Sequence, residues 1–387
     1  MADPVTFDAE ELMRRARAQT GLDDFGDTPF EEALERLCRS VREDVPRTPE
    51  AIALIEGHVI KYLCDRLRMT ADRATYPEIA QQTIRAPLVI IGLPRSGTTI
   101  LHSILSCDPA AHSPLRWLLT YPSPPPRAET FETDPRIARV EAEVEQMDAG
   151  FRAMHRMGAQ LPEECNTIQQ ASFLSVNYPA YIPMPSYSNW LLNEADMTPA
   201  YAFGKEFLQH LQAFVRRDYW VLKGPPHLHW VDVLLRTFPD ARIVMTHRDP
   251  GQVIGSITSM ICHLLRSASS IDPTAIGADQ MASWSLAIER TMAFRRSWNA
   301  PEQFVDVQYD DLLTDPLSVV QTIYDHFGME LTEETRERMR RFIADNAQEK
   351  HGKHVYDLRD YGMDPVQVRE AMSDYIKTYK VPLKALS

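Results

Sequence analysis

Residues Pro87 to Leu105, PLVIIGLPRSGTTILHSIL, constrain the fold of this chain more than any other stretch. Leu88 to Ile91 is a short apolar run enriched in Val and Ile, the pattern of a strand buried on both faces. Gly92 and Gly97 frame the loop that ends it, and Ile100, Leu101, Ile104 and Leu105 then recur at helical spacing. Strand, glycine loop and helix make the first half of a βαβ unit and predict a parallel sheet. Such a loop can turn successive backbone N–H groups and a helix N-terminus toward an anion, with Arg95, Ser96, Gly97, Thr98 and Thr99 as candidate contacts. The bland alternative is a tight turn that binds nothing. The usual phosphate-loop pattern GxxxxGK[ST] would put lysine where Thr98 stands, so an ordinary nucleotide kinase or hydrolase lacks its main cation here.

The remaining elements extend the same pattern. Strands are expected at Trp220 to Lys223, at Arg242 to His247 with a helix from about Gly251 to Arg266, and at Phe304 to Tyr309. After the last, Asp315 reads as a helix cap, Pro316 as the first helical position, and the helix stops near Gly328. The first eighty or so residues read as helices with Asp8, Thr28 and Thr48 as caps, while TYPSPPPR, Thr120 to Arg127, breaks regular structure ahead of a helix-rich middle. The expected fold class is α/β: a parallel sheet flanked by helices, with an N-terminal helical region at 1–85 and a domain at 86–387 that carries a helical insertion at about 128–216.

A formal charge of -13 argues against non-specific nucleic-acid binding, which needs a broad basic surface. The five cysteines, Cys38, Cys64, Cys107, Cys165 and Cys262, are scattered without a CxxC pair, as fits a reducing cytoplasm. The N-terminus lacks the apolar core of a signal peptide, and no stretch approaches the roughly 18 apolar residues of a membrane span. A soluble protein is expected.

With these motifs in view, the chain resembles the sulfotransferase superfamily. GLPRSGTT is similar to the superfamily's loop for the 5′-phosphosulfate of 3′-phosphoadenosine 5′-phosphosulfate (PAPS). Arginine before SGTT is similar to tyrosylprotein sulfotransferases and to a large bacterial group, where cytosolic enzymes carry lysine. ARIVMTHRDPGQVIGS resembles the strand, arginine and helix serine that bind the 3′-phosphate, which implies that role for Arg248 and Ser256. A guanidinium at a strand end suits bidentate phosphate contact, although a surface arginine in a turn would read the same way. FVDVQYDDLLTDP resembles the late strand whose tyrosine lies near the adenine, which makes Tyr309 a cofactor contact or simply an aromatic cap on a core strand. EKHGKHVY resembles the late basic loop that closes over the nucleotide, implying cofactor contacts from Lys350, His351, Gly352 and Lys353; a solvated charge run is the alternative. The expected fold is thereby a P-loop-type sheet whose helical insertion forms the acceptor side.

The resemblance implies transfer of a sulfuryl group from PAPS to a hydroxyl or amine, leaving adenosine 3′,5′-bisphosphate (PAP), with no metal expected. Cationic donors around the leaving phosphate would stabilise its growing charge, a role that falls to Arg95 and the loop amides, while the resemblance gives Lys223 stabilisation of the transferring sulfuryl group. Lys223 in WVLKGPPHLHW resembles the strand-end lysine of cytosolic enzymes; a lysine with its head in solvent is the alternative. Those enzymes place a histidine base two residues later, where this chain has Pro225. The base must come from elsewhere. LPEECNTI resembles a bacterial segment in which adjacent carboxylates precede a helix, and it offers Glu164 as base and Glu163 for orientation, unless the pair is an ordinary first helical turn. His155, His227 and His102 are fallback bases. YIPMPSYSNWLL offers Tyr187 and Trp190, with His155, as a wall around a lipid-like or aromatic small-molecule alcohol, or else as core contacts. A second copy of the chain is left open as a partner. Besides a kinase or hydrolase, a non-catalytic nucleotide-binding module is the rival reading.

Overall fold

The computed structural model describes residues 7–384 apart from 47, 149, 151, 153–156, 267–270 and 347–356. Five parallel strands form one sheet in the order β2-β3-β1-β4-β5: β1 Leu88–Gly92, β2 Ala111–His112, β3 Tyr219–Lys223, β4 Arg242–His247 and β5 Phe304–Gln308. Four of them match the expected apolar runs to within a residue. The edge strand β2 has two residues, too few to leave a period in the sequence.

Alternation along the strands divides the core into two layers. Val89, Ile91, Leu222, Ile243 and Met245 join one apolar cluster, and Leu88, Ile90, Val221 and Val244 join the other. Both faces are covered, which is why β1 reads as an unbroken apolar run. Helices Thr98–Leu105 and Pro316–His326 cover the second face through Leu101, Ile104, Val320 and Ile323. Over the first face, the N-terminal helices Ala9–Thr20, Glu31–Asp44 and Pro49–Thr75 share their core with the 128–216 segment, where Leu63 and Leu67 join Phe173, Tyr178 and Phe203.

Local capping follows the sequence at Asp8, Thr48 and Asp315, whose side chains accept the N–H groups of Glu11, Ala51 and Ser318. Thr28 is a correction. The next helix begins at Glu31 behind the buried Phe30, and the Thr28 hydroxyl instead donates to Glu206 at 2.6 Å. Among the described residues no helix is long and apolar enough to cross a membrane.

Candidate active site

Parallel pairing brings the C-terminal ends of β3, β1, β4 and β5 to one edge, with Ile90 beside Lys223, Gly92 beside Thr246 and His247 beside Gln308. Residues that end strands or follow them, Gly92, Lys223, Arg248 and Tyr309, therefore meet although they span more than half the chain. β1 lies between β3 and β4, where the order of connection reverses, and a crevice opens at such a point.

The loop after β1 owes its shape to its glycines. Gly92 has φ 142°, and a Cβ there would fall 2.2 Å from Thr246 Oγ1. Gly97 has φ 90°, with its missing Cβ 2.9 Å from the Tyr309 ring. Ser96 is fully buried: its hydroxyl donates to Leu93 O and shares a hydrogen bond with Thr246 Oγ1 at 2.6 Å, so it fastens the loop to β4 and does not line the cleft. Arg95, Gly97, Thr98 and Thr99 do line it. Arg95 sits at φ 64°, a region non-glycine residues seldom use. That conformation aims its carbonyl at Arg248 Nη1, 2.5 Å away, while its Nε donates to Ser256 Oγ at 3.2 Å. Arg95, Arg248 and Ser256 are thus brought together.

Arg248 is held from several sides. Its guanidinium lies 4.1 Å over the Tyr309 ring, and Nη2 donates to Gln252 Oε1 at 3.2 Å. Its Nε is buried without a partner among the described residues. A buried cationic donor left open beside a glycine loop fits a phosphate-bearing ligand. The turn that carries it is clamped by the C-terminal residues. Asp249, almost fully buried, caps helix Pro250–Leu265 through Gly251 N–H and takes Arg369 Nε at 3.1 Å and the Lys384 N–H at 3.1 Å. Tyr375 OH accepts the Arg248 N–H at 3.4 Å, and Tyr379 stacks on His247 at 4.3 Å. Burial lowers the His247 pKa. Burial raises that of Asp306, but its bonds to His247 and Arg295 outweigh this and lower it.

At the other end of the loop, Lys223 has 2% of its side chain exposed, against the solvent-exposed alternative. Its Nζ forms an ion pair with Glu164 and approaches Thr99 Oγ1 at 3.4 Å. Glu163 is paired with Arg116, and its Oε1 accepts the Glu164 N–H at 3.0 Å, which orients the neighbouring carboxylate. Both carboxylates line the cleft just before helix Cys165–Gln169.

The cleft measures about 2290 Å³. Helix Pro49–Thr75 contributes Leu54 and Tyr62 to its wall, Pro135–Glu145 Val140 and Val144, and Pro250–Leu265 Met260, Ile261 and Leu264. Tyr187 and Trp190 do not line it. Tyr187 is 1% exposed, its hydroxyl donates to Phe173 O at 2.7 Å, and its ring meets Trp190 at 5.8 Å, so both are core residues; Tyr181, Met184 and Leu192 from the same segment take the wall. His102 and His227 are core histidines as well. His102 bonds Val221 O at 3.2 Å and His227 bonds Tyr201 OH at 2.7 Å, and burial pushes their pKa values down to about 3 and about 4. His155, Lys350, His351, Gly352 and Lys353 lie outside the described residues. Sequence reasoning missed Arg116, Asn166, Gln170 and Asn177 in the wall and the Asp249–Arg369 clamp. Asp249 alone carried a signal, as an N-cap residue before proline.

The family model "Sulfotransferase family" matches residues 87–333. Omega-hydroxy-beta-dihydromenaquinone-9 sulfotransferase Stf3 of Mycobacterium bovis is 28% identical over 272 residues, 67% of each chain. The structure of sulfotransferase STF1 from Mycobacterium tuberculosis H37Rv is 34% identical with a TM-score of 0.83, covering 96% of this chain and all of that one. That of STF9 from Mycobacterium avium is 29% identical with a TM-score of 0.90 and covers both chains fully. A nucleotide kinase or hydrolase and a non-catalytic module are accordingly not favoured. The loop, the strand-end arginine and lysine, and the family match across most of the sheet agree: the chain belongs to the sulfotransferase family and is a sulfotransferase enzyme.

Proposed function

We propose that this enzyme moves the sulfuryl group of PAPS to the hydroxyl of a long apolar alcohol, with Glu164 as general base. One observation carries the reading: a single buried cation, Lys223, touches both the carboxylate at the cleft and the Thr99 hydroxyl of the loop. Arg95, Thr98, Thr99 and the loop amides would hold the 5′ end of the donor, and Arg248, Ser256 and Tyr309 its 3′-phosphate and adenine end. When bound, PAPS supplies an activated sulfuryl group whose S–O bond to the 5′-phosphate breaks as one to the acceptor oxygen forms. Glu164 takes the hydroxyl proton, and Glu163, anchored by Arg116, keeps it aimed. Lys223 and Arg95 offset the charge that grows on the leaving phosphate. Excluding water from the buried Lys223 strengthens that effect.

The acceptor class follows from size and lining. A cleft of about 2290 Å³, its donor end included, exceeds the roughly 300–1,000 Å³ of ordinary small-molecule sites, and its helical walls are largely apolar. The name of the Stf3 relative gives a hydroxylated menaquinone as its acceptor, a further support for a lipid-like alcohol. Scattered cysteines without a CxxC pair support a reducing cytoplasm as the setting. The test is transfer of labelled sulfate from PAPS to a panel of long-chain alcohols, with and without chelator. Transfer that survives chelation and rises with chain length is expected. PAP binding without transfer to any alcohol would overturn the reading.

A further inference from the structure

We infer that one wall of the cleft holds a subsite for a second hydroxyl on the acceptor, next to the hydroxyl that is sulfated. This rests on the function proposed above. Five polar side chains, Tyr62, Asn166, Gln170, Asn177 and Tyr181, line the cleft within its mostly apolar walls. They form a continuous hydrogen-bonded string. Tyr62 OH donates to Gln170 Oε1 at 2.8 Å, Gln170 Nε2 to Tyr181 OH at 2.9 Å, Asn177 Nδ2 to Gln170 Oε1 at 3.1 Å, and Asn166 Nδ2 to Asn177 Oδ1 at 2.5 Å.

The string ends open. Asn166 is 7% exposed, and its Oδ1 has no hydrogen-bond partner among the described residues. A buried amide oxygen without a partner is costly, and a wall meant for hydrocarbon alone would be better built from Leu or Met. Glu164 precedes helix Cys165–Gln169 and Asn166 lies in its first turn, so the open amide and the base share one short segment of the wall.

The partner is not an anion. An acceptor carboxylate would face Asn166 Oδ1 and the Glu164 carboxylate together, and the nearby Arg116 is already engaged with Glu163. A hydroxyl suits the site in either sense of the amide string, because it both donates and accepts. The acceptor class is therefore an alkanol carrying a second hydroxyl close to the first, with its hydrocarbon chain along the apolar helices.

Decan-1-ol and decane-1,2-diol, offered separately with PAPS, test this. The wild-type enzyme should use the diol with kcat/KM about tenfold higher, the worth of one hydrogen bond. Asn166→Leu should bring the ratio near one by lowering the diol value, with PAP affinity measured by calorimetry unchanged. Equal use of both alcohols by the wild-type enzyme overturns the inference whatever the variant does, and so does a preference that survives Asn166→Leu. Failure of the wild-type enzyme to sulfate either alcohol while it binds PAP would instead strike the proposed function.

Discussion

At the donor end of the cleft, the candidate contacts come from strand ends and the turns after them, and at the acceptor end they come from helices far apart in the chain. Gly92, Arg248 and Tyr309 sit where hydrogen-bonded strands finish, so the ladder itself sets their spacing. Leu54, Val144, Leu192 and Ile261 come from four helices that line the same cleft, and each is replaceable by another apolar side chain of similar volume. The proposed charged donor would thus meet strand ends, and the proposed apolar acceptor a wide trough. Lys223 and Glu164 lie at the seam.

The sharpest way to break this contrast is to cut the seam. Glu164→Gln should lower kcat about 10²- to 10⁴-fold without weakening PAP, because it removes the proposed base and frees the Lys223 ammonium from its partner. A normal kcat in that variant would remove Glu164 from the base role. Arg248→Ala should do the reverse, weakening PAP about tenfold to a hundredfold by calorimetry, the range for a charge-assisted hydrogen bond, with little change in acceptor KM.

Arg369 offers a subtler test, since it reaches Arg248 only through Asp249. Arg369→Ala should raise the PAPS KM several-fold with kcat unchanged, and Arg369→Lys should restore part of it. Equal loss in kcat would show that the C-terminal clamp does more than place Arg248.

The smallest effect expected is one of pH on stability. His58, His210 and His227 are pushed down to about 4, and His102, His112 and His229 to about 3, in every case chiefly by burial. Their unfolded value is about 6.5, so the unfolded chain binds protons first as pH falls. The stability they contribute is complete above about pH 6.5 and drains away toward pH 3 to 4. The thermal midpoint should therefore drop by several degrees between pH 7 and pH 5, with the slope reduced in His58→Phe. A flat profile would mean that these rings are solvated. Apart from His102, which packs behind the loop, they belong to the insertion, the N-terminal helices and the segments around β2 and β3, so hydrogen exchange should show the acceptor side loosening before the β1–β4 edge.

Legibility in the sequence followed the same division. β4 was read residue for residue, and the helix carrying Ser256 to within one residue, because apolar runs and turn residues are local signals. For Tyr187 and Trp190 the sequence left cleft wall and core contact both open, because an aromatic-rich segment does not say which face it buries. In the structure they turn inward and leave Met184 and Leu192 at the surface of the cleft. The Arg116–Glu163 and Asp249–Arg369 pairs join residues 47 and 120 apart, beyond the reach of any periodicity.

What the amino-acid order determined by itself is the strand–glycine loop–helix unit, the alternation of strands with helices, and the residue types that ride on the strand ends. These depend on backbone sterics and on neighbours a few positions away. Tertiary structure alone decided that Lys223 meets Glu164, that Arg369 secures the turn of Arg248, and that the buried Asn166 amide oxygen is left without a partner among the described residues. Those outcomes depend on how distant elements pack, where burial and long-range pairing override local preference.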